Sequence, residues 1–307
     1  MNKLNELIDW FEDKTKVMIA LSGGVDSALV AYAAFQALGS SAIAVTADYK
    51  TLSEDELFSA KQVCSEIGIE QLLLDYSELE NEEFVKNDSN RCFHCRMELG
   101  AHLIELAKTH DVKIIVDGTN LDDLGDYRPG IQALRDNGIR SPLVETKFSK
   151  SQIRDIVKSV GLSVFDRPSN SCLASRIPWG QRVTAEKLTR IEFGETLVKQ
   201  LTNLKQVRVR DFDGSAKIEV DKEMISVLDK NTMNQITKKL KLIGLKCEDN
   251  FLHSGLTVRE LSEKFPDYLA NIMFIFRGDQ KFTVNSSTKI EKKDTNRFGT
   301  THDLQRG

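Results

Sequence analysis

The sequence predicts an α/β protein: a mostly parallel sheet with flanking helices, followed by a smaller α+β C-terminal domain. Three observations predict it. Short β-rich apolar runs alternate with helical patterns of about 10–15 residues, the signature of βαβ units. A glycine-rich hexapeptide directly follows the first of these runs, where a parallel sheet presents its ligand crevice. The charge balance then reverses: residues 1–197 carry 22 Lys and Arg against 31 Asp and Glu, whereas residues 198–246 carry 11 against 6. In a chain of 307 residues that reversal marks two domains, 1–184 and 185–246, with a balanced extension over 247–307.

Residues 1–13 are patterned as an amphipathic helix without the apolar core of a signal peptide. Residues 16–21 read as a strand, 27–38 as a helix, 41–46 as a strand and 54–67 as a helix. A strand at 71–75, a helix at 96–110, a strand at 113–117 and a helix at 149–160 continue the alternation. Beyond the charge reversal, 206–210 and 216–220 pair about the turn Asp213–Gly214, and 224–240 has helical period. After residue 286 the chain is polar and unpatterned, and is expected to be loosely ordered. The longest apolar runs, such as 28–35, fall far short of the roughly 20 residues of a membrane span, so no membrane partner is expected. Five cysteines without an export signal disfavour a disulfide framework. They point to a reducing cytoplasm, where thiols pack, react or bind metal.

The hexapeptide is Ser22-Gly23-Gly24-Val25-Asp26-Ser27, set before a helix. Glycines let backbone amides approach an anion, the helix offers its positive end, and Ser22 and Ser27 add hydroxyl donors. Asp26 repels phosphate, so its expected job is to help hold the Mg²⁺ that neutralises it. These residues resemble the PP-loop of the N-type ATP pyrophosphatases, enzymes with an adenine nucleotide alpha-hydrolase-like fold that adenylate a substrate and release pyrophosphate. No Gly-Lys-Ser/Thr follows, so the loop is not the kinase-type P-loop. The resemblance implies ATP as cosubstrate and places Thr46 and Asp48, at the end of the second strand, near the adenosine.

After the strand at 113–117 comes Gly118-Thr119-Asn120-Leu121-Asp122-Asp123, then Asp126, Tyr127, Arg128, Pro129 and Gly130. Three acids in five residues need solvent or a cation. At a strand's carboxyl end, Gly118, Thr119, Asp122 and Asp123 are candidates for Mg²⁺ or nucleotide contact, and Arg128, stiffened by the Pro-Gly turn, for phosphate. Lys150 and Arg154, four apart on a helix, suit either an anion or a solvated face.

Cys92 and Cys95 form a C-x-x-C pair between Arg91 and Arg96, and Cys172 stands four residues before Arg176. A nearby guanidinium favours thiolate, the nucleophilic and metal-binding form. The pair by itself serves redox, zinc or iron–sulfur chemistry equally, whereas Cys64 and Cys247 read as packing residues. Three thiolates leave one iron of a cubane cluster without a protein ligand, an open position for sulfide.

Gly118-Thr119-Asn120, the Asp-Asp pair, Arg128-Pro129-Gly130, Ser141-Pro142-Leu143 and Cys172-Leu173-Ala174-Ser175-Arg176 together resemble the LarE family of sulfur transferases. The resemblance spans about residues 5–225 and the PP-loop. It implies a small mononucleotide substrate, pyridinium-3,5-biscarboxylic acid mononucleotide, whose carboxylates become thiocarboxylates in nickel-pincer nucleotide biosynthesis. It also implies a catalytic Cys172 assisted by Arg176 and Glu195. Arg208 and Arg210, which alternate in strand period onto one face, would take the substrate phosphate, with Glu219 near them. Three matching cysteines imply a 4Fe-4S cluster on Cys92, Cys95 and Cys172 rather than sacrifice of the Cys172 sulfur. A homo-oligomer is expected. From about residue 245 the chain departs from the family pattern, and the extension carries no assigned role.

Three other readings compete. A cluster-dependent tRNA thiolase wants an extended basic surface, which residues 1–197, of net charge −9, do not offer, so no nucleic acid partner is expected. A PP-loop amide-forming ligase leaves the cysteines without a purpose. A non-catalytic nucleotide- or cluster-binding protein would bind ATP without releasing pyrophosphate.

Overall fold

The computed structural model describes residues 2–125, 128–169 and 171–247, and short strands at 252–254, 283–284 and 290–291. Asp126, Tyr127 and Asn170 lie outside the described residues, as does most of the 247–307 extension.

The first nine elements are α1 (Lys3–Glu12), β1 (Val17–Ala20), α2 (Val25–Leu38), β2 (Ala42–Asp48), α3 (Glu54–Ile67), β3 (Glu70–Asp75), α4 (Glu82–Val85), α5 (Arg91–Thr109) and β4 (Ile114–Val116). The four strands are all parallel, in the order β3-β2-β1-β4. Side chains alternate across this sheet as the two-residue strand period requires. Val17, Ile19, Ala42 and Ala44 pack with Leu7 and Phe11 of α1 and Leu29 of α2, and Met18, Ile43 and Val45 pack with Leu99 and Leu103 of α5. Helices therefore cover both faces, which is why these strands read as continuous apolar runs.

The chain moves from β1 to β2 and β3 on one side, then returns to β4 on the other. The carboxyl ends of β1 and β4 thus flank the topological switch point, where open α/β sheets take ligands. Past β4 come α6 (Pro129–Asp136), α7 (Pro142–Glu145) and α8 (Lys150–Ser159), the last closed at its start by a capping box of Ser149 and Gln152.

α5 starts five residues before the helix expected from the pattern, at Arg91, so Cys92 and Cys95 sit on its first turns. The segment 222–227 is a 3₁₀ turn rather than the start of the following helix. α9 (Ala185–Thr202) is a helix the periodicity did not reveal. Its buried residues, Lys187, Leu188, Ile191, Gly194, Glu195, Leu197 and Val198, share one half of the helix, but that half includes a lysine, a glycine and a glutamate, while Phe193 stands on the exposed half. A Cβ on Gly194 would lie 3.2 Å from Val209 and 3.3 Å from Leu240, so glycine lets α9 sit close against its neighbours.

The second sheet pairs β5 (Val207–Phe212) antiparallel with β6 (Ser215–Asp221), joined by Asp213 (φ 51°) and Gly214 (φ 94°), both in the left-handed conformation that a two-residue hairpin turn needs. α10 (Lys230–Leu242) packs on it through Ile236 and Leu240, and β7 (Lys246–Cys247) and β8 (Leu252–Ser254) both run parallel to β6. Residues 1–255 form one compact unit and 256–307 a second. Within the second, β9 (Thr283–Val284) pairs antiparallel with β10 (Ile290–Glu291). Among the described residues no helix is long and apolar enough to cross a membrane.

Candidate active site

The glycine loop joins β1 to α2 at the switch point, and its shape depends on two glycines. Gly23 has φ 77°, and a Cβ there would meet the Glu56 carbonyl at 2.6 Å and the Ala60 amide at 2.8 Å. A Cβ on Gly118, after β4, would meet the Ser27 amide at 2.7 Å, so the two loops interlock backbone to backbone. Ser59 Oγ donates to Gly23 O (2.8 Å), the Ser22 amide donates to Ser27 Oγ (3.2 Å), and Ser27 Oγ donates to Gly24 O (3.1 Å). Gly24 caps α2 without a side chain, which leaves the first-turn amides open to an anion.

Asp26 accepts from Asn120 Nδ2 (3.3 Å) and forms an ion pair with Lys150 Nζ. Burial pushes its carboxyl above the usual range, with Lys150 opposing. The Lys150 amide donates to Asp122 Oδ2, the Asn120 amide donates to Asp123 Oδ2 (3.1 Å), and Arg128 pairs with Asp123 at 2.8 Å. The acidic loop, Arg128 and Lys150 thus converge on the glycine loop. Thr119 Oγ1 donates to Asp117, which also accepts from Ser141 Oγ (2.7 Å). Arg154 donates to the carbonyls of Phe165 (2.9 Å) and Arg167 (3.0 Å), and its charge also acts on Asp26. Thr46 is wholly buried and accepts from Gln71 Nε2 (2.9 Å), and Asp48 at the strand end pairs with Lys50 (3.2 Å).

Cys172 hangs over the same sheet edge. The amide of the next residue, Leu173, donates to Thr51 O (2.9 Å), just beyond β2, and Arg91 Nη1 donates to Ala174 O (2.9 Å). Cys172 and Cys95 both join the apolar cluster of Phe84, Val85, Leu173 and Ala174, while Cys92 is exposed. The three thiols act on one another: Cys95 feels Cys172, and Cys172 feels Cys92. Burial raises the Cys95 thiol well above its ordinary value and raises Cys172, against which Arg91 and then Arg176 pull down. Among the described residues no group of three or more His, Cys, Asp or Glu side chains is gathered closely enough to hold a metal ion. Cys64, pushed up to about 12 by burial, is a packing residue.

Arg176 and Glu195 meet beneath the Cys172 loop as a buried ion pair (Nε–Oε1 2.7 Å, Nη2–Oε2 3.2 Å). Arg176 Nη1 also donates to Cys172 O (3.1 Å), and Glu195 Oε1 accepts from the Val209 amide (3.2 Å). The pair therefore ties the cysteine loop to α9 and β5. Arg208 and Arg210 share one face of β5, as their spacing predicts, with Val207 and Val209 buried on the other. Both hold Glu219, directly across the strand pair from Arg208, at 2.9 and 2.7 Å. Burial would raise the Glu219 carboxyl, yet Arg210 and Arg208 hold it below its usual range. Among the described residues, two cations share this one anion. Arg210 Nη1 also donates to Ser175 O (3.2 Å), which brings that charge to the cysteine loop.

Several site residues carry no sequence motif. Glu78 is wholly buried, with Thr51 donating to its Oε2 (2.6 Å) while Oε1 lacks a hydrogen-bond partner. Burial raises its carboxyl, and Cys95, Thr51 and Arg96 act against that. Tyr49 and Tyr76, also raised by burial, feel the charges of the same group. These residues are far apart in sequence and share only a tertiary location.

The NAD synthase family matches residues 4–97, which include the glycine loop. An uncharacterised protein of Synechocystis is 42% identical over 73% of this chain and 83% of its own length. A second uncharacterised protein, from Methanocaldococcus jannaschii, is 29% identical over 79% of this chain and 91% of its own. The pyridinium-3,5-bisthiocarboxylic acid mononucleotide synthase of Lactiplantibacillus plantarum is 27% identical over 78% of this chain and 87% of its own.

Proposed function

Because the chain belongs to the LarE-like family of PP-loop ATP pyrophosphatases, we propose that it is an ATP-dependent sulfur transferase. Its substrate is pyridinium-3,5-biscarboxylic acid mononucleotide, in nickel-pincer nucleotide biosynthesis. A carboxylate is a poor electrophile because its leaving group would be oxide. ATP adenylates it, pyrophosphate departs held at the Ser22–Ser27 loop, and a sulfur nucleophile then displaces AMP to leave a thiocarboxylate. The observation that carries this reading is the Arg210–Ser175 hydrogen bond. It joins the arginine face, suited to a substrate phosphate, to the loop that bears Cys172, itself fastened to the end of β2.

In this reading Arg208 and Arg210 hold the mononucleotide phosphate, and the buried Arg176–Glu195 pair keeps the cysteine loop in place. Asp26, on which the charge of Asp123 acts, offers oxygen donors that would suit Mg²⁺, whose charge would offset that of the phosphates. Cys92, Cys95 and Cys172 supply the soft donors that a 4Fe-4S cluster would use, although among the described residues they are not gathered closely enough to hold a metal ion. Such a cluster would offer an open iron for exogenous sulfide. A reducing cytoplasm, the division at residues 184 and 246, and a homo-oligomeric assembly complete the proposal.

The test is anaerobic incubation of the chain with iron, sulfide, ATP and the biscarboxylate mononucleotide. Pyrophosphate release with thiocarboxylate product supports the function. Pyrophosphate release with tRNA but not with the mononucleotide overturns it. An intact Cys172 mass after turnover marks sulfide as the sulfur source, whereas loss of about one H₂S from Cys172 marks the cysteine itself. Cys92→Ala removes cluster absorbance and leaves ATP binding intact, and unchanged absorbance refutes the ligand set.

A further inference from the structure

Lys217 stands in β6 directly across from Arg210, in the same register that sets Glu219 across from Arg208. Opposite residues of an antiparallel pair share a face. The other face, with Val207, Val209, Ala216, Ile218 and Val220, packs in the core with Leu197, Ile236 and Leu240. Lys217 is therefore on the arginine face. Its Nζ lies 5.0 Å from the centroid of the Phe212 ring, and Phe212 follows Arg210 by two along that face. Although it points away from the core, Lys217 is only 8% exposed. An ammonium is strongly hydrated and a lysine is seldom so enclosed, so holding this charge here costs stability and calls for a purpose.

The bonding of the arginines indicates that purpose. Arg210 directs Nε (2.7 Å) and Nη2 to Glu219 and Nη1 to Ser175 O (3.2 Å), and Arg208 directs Nη1 to Glu219 (2.9 Å). Much of the donor capacity of Arg210 is thus committed to the strand pair and the cysteine loop. A phosphate monoester is doubly charged near neutral pH and presents three strong acceptor oxygens. A guanidinium already fixed by its fork meets few of them. An ammonium on a flexible stem carries three donors that turn with the side chain, and it can follow those oxygens.

We propose that Lys217 is the third cation of the phosphate site. With Arg208 and Arg210 it takes the phosphate monoester of the substrate, and so separates a mononucleotide from its phosphate-free riboside. This rests on the phosphate reading of the arginine face above. Glu219 orients the two guanidiniums, and the Phe212 ring, next to the hairpin turn, orients the ammonium.

The experiment uses the full chain with Lys217→Met, which removes the charge, and Lys217→Arg, which keeps it. Pyrophosphate release is measured at saturating ATP with the biscarboxylate mononucleotide and with the same riboside lacking its phosphate. Lys217→Met is expected to raise KM for the mononucleotide about tenfold more than KM for the riboside, with the mononucleotide kcat within about twofold. Lys217→Arg recovers most of that difference. Equal effects on the two substrates mark a packing role and overturn the proposal, as does a mononucleotide KM at the wild-type value. Calorimetric titration with inorganic phosphate, the glycine loop filled by a non-hydrolysable ATP analogue, gives a measure that needs no turnover. Lys217→Met is expected to weaken phosphate binding about tenfold. Equal affinity in the two proteins, or no binding by the wild type, overturns the proposal. Should Lys217→Met not fold by circular dichroism, Lys217→Gln, of similar length, carries the same comparisons. A wild-type chain that releases no pyrophosphate with the mononucleotide defeats the function reading alone, since the phosphate titration still decides the role of Lys217.

Discussion

Lys150, at the start of α8, reaches across the crevice to form an ion pair with Asp26 at the start of α2. The pair already engages Asp26, so in the proposed function a nucleotide with its cation would have to compete for that carboxylate. Burial already holds the Asp26 carboxyl above its usual range. A raised value means that the folded state disfavours the ionised form above the ordinary Asp pKa of about 3.9. Asp26→Asn is therefore expected to melt at or above the wild-type temperature near neutral pH, with the difference vanishing as pH falls below about 4. Pyrophosphate release should fall about a hundredfold. Thermal melts at two pH values and a pyrophosphate assay check both halves, and a destabilised yet active variant would count against the assignment.

Gly118→Ala tests the interlock of the two loops. The added methyl would meet the Ser27 amide at 2.7 Å and Ser27 Cα at 2.9 Å, and these backbone atoms can yield only by shifting the start of α2. The expected result is at least about a tenfold loss of ATP-dependent pyrophosphate release with retained secondary structure. Steady-state kinetics with circular dichroism reads it.

Glu219→Gln tests the arginine face. Its carboxyl is held low by Arg210 and Arg208 against the effect of burial, so its contribution is present above the ordinary Glu pKa and lost as pH falls through the lowered folded value. At pH 7 the variant should lose about 1–3 kcal/mol in urea unfolding, and the gap should close in acid. A gap that persists at low pH would show that packing, not charge, is what the variant removes.

The Arg176–Glu195 pair should behave as buried pairs do. Arg176→Met strands Glu195 and should cost about 3–5 kcal/mol, whereas Arg176→Met with Glu195→Leu should recover much of that stability. Pyrophosphate release in the double variant should survive better than thiocarboxylate formation, because the pair anchors the Cys172 loop rather than the glycine loop. Denaturant melts of the three proteins with both activity assays measure this.

Much of the site was legible before any coordinates. The glycine loop, its place after β1, the three cysteines and the alternation of Arg208 and Arg210 all follow from short-range rules. Glycine is needed where backbones touch, an apolar run reads as a buried strand, and a two-residue period reads as one strand face. α9 escaped because its buried face carries Lys187, Gly194 and Glu195 while Phe193 stands on its exposed face, so no apolar stripe marks it. Glu78 escaped because nothing near it in sequence marks a carboxylate set among cysteines and tyrosines.

Sequence alone carried the alternation of β1–β4 with their main helices, the glycine loop and the presence of three cysteines beside arginines, because each depends on residues within a turn or two of one another. Which charges remain free depended on the tertiary fold. Arg176 is the cation nearest Cys172 in sequence, but Glu195 reaches it from α9 and meets its charge. Arg91 arrives from the start of α5, buried and without a carboxylate partner among the described residues. In a low-dielectric interior the energy of a charge is set by what stands within a few ångströms of it. Neighbours at that range come from segments that only the packed chain brings together.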